Sequence, residues 1–167
     1  IGTIDEFSEL QILKSSIKFL EKLNIKAKLN INTIGSIEER KLYIKELDNY
    51  FKKNKNNLSK ESNDKIGKNT LRILDSNDPL DSEIIDLAPV IYQYLEDDTL
   101  KRYEYLKDSL NKENIDFVEN SKLVRGLDYY NDLTFEFAYK ATVLGGGGRY
   151  DKLAESLKLG NSAGVGV

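Results

Sequence analysis

The 167-residue chain has no cysteine, no histidine, no methionine, no tryptophan and only two prolines. Without cysteine or histidine, thiolate and imidazole metal sites are excluded within this stretch, and so are Ser-His and Cys-His catalytic pairs. No protein-ligated metal is expected, and no disulfide can form. No apolar run approaches the roughly 20 residues that a membrane helix needs. The first residues lack the basic-then-apolar pattern of a secretory signal. Together these absences point to a cytosolic protein with no membrane partner. The lack of methionine, with Ile1 in first place, points to a portion of a longer protein. Part of its chemistry would then depend on residues outside this stretch.

What is present alternates between two periods. In "DEFSELQILKSSIKFLEKLNI", Leu10, Leu13, Ile17 and Leu20 recur at helical spacing between lysines and glutamates. "KAKLNIN" switches to strict alternation, with Ala27, Leu29 and Ile31 on one face and Lys26, Lys28, Asn30 and Asn32 on the other, which predicts a half-buried strand. Ser36 then suits an N-cap for a helix through "IEERKLYIKELDNYFKKNK". From there to about Phe117 the pattern reads almost entirely helical. Asp81 or Ser82 could cap "EIIDLAPVIYQYLE", which Pro89 should kink or split, and Leu100, Tyr103, Leu106 and Leu110 share a face further on. The period changes again at "IDFVEN", "LVRGLDYY" and "LTFEFAYK", which read as strands. Gly145 to Gly148 read as a turn or tight approach, and "YDKLAESLKL" as a short helix. The order predicts an α+β fold: an antiparallel sheet interrupted by a helical insertion.

Charge is spread unevenly. Lys52, Lys53, Lys55, Lys60, Lys65 and Lys68 stand against only Glu61 and Asp64, a local balance of +4, while Leu71 to Glu113 carries five basic and eleven acidic residues. The lysine segment is either a solvated face or a contact for nucleic-acid phosphate.

The residues with chemical potential gather near the end. Arg125 lies in an apolar segment, so its guanidinium either pairs internally with Asp128 or Glu136 or forms a fork for a carboxylate or phosphate. Tyr129 and Tyr130, adjacent on an expected strand, should face opposite sides, and a phenol can both donate to and accept from a polar ring. The four glycines match neither a P-loop nor a dinucleotide fingerprint. Arg149, Tyr150 and Asp151 follow them at once, which suggests a pocket.

"LVRGLDYYN…FEF" followed by "GGGGRYD.L" resembles the two histidine-specific signature segments of the histidyl-tRNA synthetases, class II aminoacyl-tRNA synthetases. "INTIGSIEERKLYIKEL" and "KNTLRILDSNDP" are similar to the same family between its second and third class motifs, so the resemblance covers most of the chain. It implies a catalytic core at 1–36 and 118–167, with a helical insertion domain at 37–117 that leans on the acceptor stem of tRNA(His). The terminal "AGVGV" resembles the strand leading into the third motif.

By resemblance, Arg125 would be the catalytic cation, meeting the ATP α-phosphate and the histidine carboxylate. Tyr130 would bond the substrate imidazole, with Tyr129 and Tyr150 lining or supporting the same pocket. Gly146, Gly147 and Gly148 would give the adenylate room. Asp128 would orient neighbours, and Arg149 and Asp151 would be structural. Lys52, Lys53, Lys55, Lys60, Lys65 and Lys68 become possible tRNA contacts. The resemblance implies ATP with Mg²⁺ and L-histidine as substrates, tRNA(His) as acceptor, and a homodimer of the full-length protein. It also implies that this fragment alone is inactive, because the motif arginines, the substrate-binding glutamates and the anticodon domain lie elsewhere. The departures are Asp132, where the family often has a basic or neutral residue, and a short hairpin at "FAYKATVLGG". The alternative is the histidine-sensing, non-catalytic regulatory subunit of ATP phosphoribosyltransferase, which keeps a similar sheet. The intact "RGLDYY" and "LRILDS" favour the synthetase.

Overall fold

The computed structural model describes residues 2–3, 7–124, 129–160 and 162–167. Helix α1 (Phe7–Lys22) leads into strand β1 (Lys28–Thr33), and helix α2 (Ile37–Lys53) follows. Two short helices, α3 (Lys60–Lys65) and α4 (Ser82–Asp86), come next, and then the long α5 (Asp97–Lys112). The chain closes with β2 (Phe117–Glu119), β3 (Asn131–Tyr139), β4 (Thr142–Arg149), a single helical turn α6 (Leu153–Ser156) and β5 (Val165–Gly166). The five strands form one sheet in the order β2-β1-β3-β4-β5, antiparallel except for the parallel β1–β2 pair.

One face of this sheet is apolar. Leu29, Ile31, Leu133, Phe135 and Phe137 meet Leu10 and Leu13 of α1 and Tyr103, Leu106 and Leu110 of α5. Both helices end in the same way before turning into a strand. Asn24 and Asn114 take left-handed φ values of 58° and 55°, and Ile25 and Ile115 turn their N–H groups back to Leu20 and Leu110, each at 2.9 Å. Asparagine tolerates that backbone region better than most residues, so a Leu/Glu-Asn-Ile step serves as a stop signal twice.

The opposite face is polar but not solvent-facing, which differs from the half-buried strand expected of β1. Asn30 and Asn32 are buried, at 8% and 1% exposure. Their amides find partners: Asn30 Nδ2 donates to Glu136 Oε1 (2.9 Å) and Asn32 Nδ2 to the Leu123 carbonyl (3.0 Å). Alternation located the strand correctly. It misjudged the second face because a buried amide with partners costs little.

The helical block is less regular than expected. Ser36 caps α2 through a capping box, its side chain accepting from Glu39 N–H while the Glu39 carboxylate accepts from Ser36 N–H. Beyond α2 the chain breaks into one-turn pieces, including 3-10 turns at Lys55–Asn57, Thr70–Ile73 and Ile91–Tyr94. Pro89 splits the expected helix as its ring requires, and its carbonyl accepts from the Tyr43 hydroxyl at 2.9 Å. Side-chain staples replace regular backbone bonding. Asp81, fully buried, accepts from Ser59 N–H and the Ser59, Ser62 and Ser76 hydroxyls at 2.5–2.9 Å. Around it, Tyr43, Leu47 and Phe51 of α2 pack with Leu58, Ile73 and Ile85, and this second cluster extends to Val124 and Tyr130. Among the described residues no helix is long and apolar enough to cross a membrane.

Candidate functional site

The glycine run is a strand, not a turn. Gly145 to Gly148 lie within β4, opposite Phe137, Glu136, Phe135 and Thr134 of β3 in that order. The turn falls earlier, at Lys140 (φ 55°) and Ala141, between the paired Tyr139 and Thr142. At two of the four glycines neighbours occupy the side-chain space. A Cβ on Gly147 would overlap the Gly166 carbonyl and reach Phe135 Cζ at 2.8 Å. A Cβ on Gly148 would meet the Leu133 carbonyl at 2.5 Å and the Tyr130 ring at 2.8 Å. Gly145 faces open space. Glycine in a strand marks a close approach, here by β5 and by a tyrosine ring.

Over that strand three tyrosines converge. The rings of Tyr129 and Tyr130 lie 4.8 Å apart, and Tyr150 stands edge-on to both, at 6.1 and 6.3 Å. The opposite orientation expected of Tyr129 and Tyr130 does not occur, because neither residue is in a strand: Tyr129 is in a turn and β3 starts at Asn131. Leaving the pleat frees both rings to point the same way, and such tilted and edge-on pairs are favourable for aromatic rings. Tyr130 is buried at 7% exposure, while Tyr129 is half-buried. The Tyr150 ring lies over Gly164 and Gly166, where a Cβ would collide with it.

Arg125 and Asp128 lie outside the described residues. Glu136, a possible partner for Arg125, accepts from Asn30. Arg149 is one of the most buried side chains, at 0% exposure, and is held by acceptors on every arm. Its Nε donates to Glu9 Oε1 at 2.6 Å, Nη1 to Asp151 Oδ1 at 2.9 Å and to the Thr3 carbonyl at 3.2 Å, and Nη2 to Ser8 Oγ at 3.0 Å. It therefore ties α1 to the end of β4, in keeping with the structural part expected of it. Asp132 does not face solvent. It sits at φ 52°, in a small pocket with Glu9 and Arg102. Burial pushes its carboxyl above the usual range, against the pull of the Asn131 amide and the Arg102 charge.

The lysines separate. Lys52, Lys53, Lys55, Lys60 and Lys68 are exposed, whereas Lys65 is paired with Glu61 at 2.8 Å. Sequence reasoning missed Arg40, whose Nη1 donates to the Tyr130 carbonyl at 2.5 Å across the seam between α2 and the tyrosines. It also missed Asn131 and the glycines on either side of Val165, Gly164 and Gly166. The alternate spacing of Gly164 and Gly166 was the available signal for the latter, since glycines two apart in a strand clear one face.

A mostly antiparallel sheet of this order, with helices packed on one face and a glycine strand beneath tyrosines on the other, is the fold of class II aminoacyl-tRNA synthetases. The crystal structure of apo Staphylococcus aureus histidyl-tRNA synthetase matches 99% of this chain and 41% of that one, with a TM-score of 0.72 and 28% identity. A Bacillus halodurans structure described as an ATP phosphoribosyltransferase regulatory subunit/histidyl-tRNA synthetase shares the fold at a TM-score of 0.57 and 19% identity. In sequence, the chain is 36% identical to the histidine–tRNA ligase of Limosilactobacillus fermentum, over 95% of this chain and 38% of that protein. It is 39% identical to that of Mycoplasma mobile, over 96% and 39%. No family model matches. The chain belongs to the histidyl-tRNA synthetase family, and it spans about two fifths of the length of these relatives.

Proposed function

We propose that the chain is the histidine-recognising part of a full-length ligase that activates L-histidine with ATP and transfers it to tRNA(His). The observation that carries this reading is the convergence of Tyr129, Tyr130 and Tyr150 over a glycine strand, on the polar face of the sheet. Phenols gathered in one place can donate to one imidazole nitrogen and accept from the other. An amino acid lacking that pattern would leave them unpaired, which is how a polar pocket rejects apolar competitors. Gly148 contributes by admitting the Tyr130 ring and Gly147 by admitting β5, leaving Gly146 as the glycine proposed to make room for adenylate.

In the first step a histidine carboxylate oxygen attacks the ATP α-phosphorus, forming the mixed anhydride and expelling pyrophosphate. Mg²⁺ accompanies the phosphates of the nucleotide. Arg125, two residues past the buried Leu123 and one past Val124, supplies a fixed cation where negative charge grows on phosphorus. In the second step a ribose hydroxyl at the tRNA 3′ end attacks the activated carbonyl and releases AMP. The segment 37–117 serves as the module that leans on the acceptor stem, offering the exposed Lys52, Lys53, Lys55, Lys60 and Lys68, while residues 1–36 and 118–167 form the core. The full-length protein acts as a cytoplasmic homodimer, as the family resemblance implies.

The test is histidine-dependent exchange of pyrophosphate into ATP by the full-length protein. Exchange is expected, with Arg125→Ala losing about 10²-fold or more, the loss of a contact worth roughly 3 kcal/mol in the transition state. A folded protein that binds histidine but shows no exchange would instead be the regulatory relative. Unchanged exchange in the variant would return Arg125 to an internal ion pair.

A further inference from the structure

The pocket tyrosines are not held by contacts of their own rings alone. Tyr130 and Tyr150 are each followed in sequence by a polar residue, and those two residues bond to one another across the strands. Asn131, after Tyr130, opens β3. Asp151, after Tyr150, follows β4. Asn131 Oδ1 accepts the Asp151 N–H at 2.8 Å, and Asn131 Nδ2 reaches Asp151 Oδ2 at 3.4 Å and Asp132 Oδ2 at 2.8 Å. Asp151 Oδ1 in turn accepts the Gly164 N–H and Arg149 Nη1, both at 2.9 Å. The Tyr150 N–H donates to the Gly164 carbonyl at 2.7 Å. The amides on both sides of the Tyr150 Cα are therefore committed, one to Gly164 just before β5 and one to Asn131. The ring is left with the glycine-cleared surface of Gly164 and Gly166 to lie on.

We infer that the Asn131–Asp151 bridge is a positioning device that sets how the Tyr130 and Tyr150 rings stand to one another, and with it the selectivity for an imidazole side chain. The inference rests on the proposed histidine site. Both side chains are spent on bonds within the strands and to Arg149 and Gly164, so both act through the tyrosines. The chemistry at position 131 is specific. It needs an acceptor for the Asp151 amide and, on the same group, a donor facing the carboxylates of Asp132 and Asp151, and a side-chain amide supplies both. An aspartate there keeps the shape and the acceptor but replaces the donor with a third negative charge. At 151 the demand is looser: asparagine keeps the Oδ1 acceptor for Gly164 and the backbone N–H for Asn131, and gives up the long 3.4 Å contact from Asn131 Nδ2 and the charge facing Arg149, which Glu9 still pairs.

The test compares Asn131→Asp and Asp151→Asn with the wild type in the full-length protein, reading KM for histidine, KM for ATP and kcat in pyrophosphate exchange, with histidine affinity by calorimetry beside them. Asn131→Asp should raise KM and Kd for histidine at least about tenfold, with KM for ATP within about threefold. Asp151→Asn should stay within about threefold of wild type in histidine affinity. A folded Asn131→Asp with unchanged histidine affinity overturns the inference, and so does an equal loss for ATP and histidine. If Asn131→Asp does not fold, Asn131→Ala decides: it removes the acceptor for the Asp151 N–H and the donor to both carboxylates, and histidine affinity within twofold of wild type would again overturn the bridge. A wild type that binds histidine without exchange sinks the ligase reading alone, and calorimetry still judges the bridge. A wild type that does not bind histidine sinks both.

Discussion

At the scale of single residues, the glycine strand separates positions that look alike in sequence. Gly145 and Gly147 both sit in β4 among four consecutive glycines. A Cβ at Gly145 meets nothing within 4 Å, while one at Gly147 overlaps the Gly166 carbonyl, which is backbone and cannot rotate away. Gly145→Ala should therefore change stability by no more than about 0.5 kcal/mol in either direction. Gly147→Ala should cost about 2 kcal/mol or more, because β5 must be pushed off the sheet edge. Urea denaturation of the two variants side by side checks this, and equal costs would mean that β5 is not seated against Gly147. The run's composition was plain in the sequence, but its neighbours were not. Glycine is commoner in turns than in strands, and only the tertiary approach of β5 and Tyr130 explains why a strand tolerates it here. The tyrosines carry the same lesson in reverse. Strand periodicity predicted opposite faces for Tyr129 and Tyr130, and that prediction lapsed because the pleat begins one residue later, at Asn131.

At the scale of elements, what local chemistry specifies was legible and what side-chain staples specify was not. The Ser36 cap, the periodic faces of α1 and α5 and the split at Pro89 follow from rules acting within a few residues. The one-turn pieces between α2 and α5 do not, because they are organised from a distance by Asp81 and by Glu39. Beyond its capping box, Glu39 accepts the Glu96 N–H at 2.6 Å and the Thr99 hydroxyl at 3.2 Å, joining the start of α2 to the start of α5. For both carboxyls burial alone would raise the pKa, but the hydrogen bonds converging on the charged form outweigh it and hold each below the ordinary value. A folded-state pKa below the unfolded one contributes stability that is present above the unfolded value and lost as pH falls through the folded value. The helical block should thus weaken on acidification below about pH 4, the ordinary carboxylate range. Asp81→Asn should remove part of that acid sensitivity while costing about 2–4 kcal/mol at neutral pH, since it strips charge from a site with four donors. Thermal melts between pH 3 and 7 test the slope, and an unaltered slope in the variant would exclude Asp81 as a source of it.

At the scale of the whole molecule, the candidate pocket lies on the seam between two cores. Tyr130 belongs to the cluster built around α2, together with Phe51 and Ile73. Three residues further on, Leu133 belongs to the cluster shared by α1, α5 and the sheet. Arg40 reaches from α2 to the Tyr130 carbonyl across the same seam. Packing in the helical block should therefore bear on the tyrosines although Phe51 lies eleven residues along α2 from Arg40. A cavity at Phe51, which is fully buried, should cost about 3–5 kcal/mol as Phe51→Ala. It should also speed amide exchange both in α2 and in the 129–133 stretch, while leaving α1 and α5 near their wild-type protection. Leu110→Ala, in the other core and also fully buried, should do the converse, loosening α1, α5 and β1 at a cost of about 2–5 kcal/mol. Hydrogen exchange of the full-length protein distinguishes these patterns, because local opening follows the cooperative unit that has lost its packing. If Phe51→Ala loosens only residues before Val124, the helical block opens without the pocket. The resemblance between cluster membership and function would then be coincidental, and the tyrosines would answer to the sheet alone.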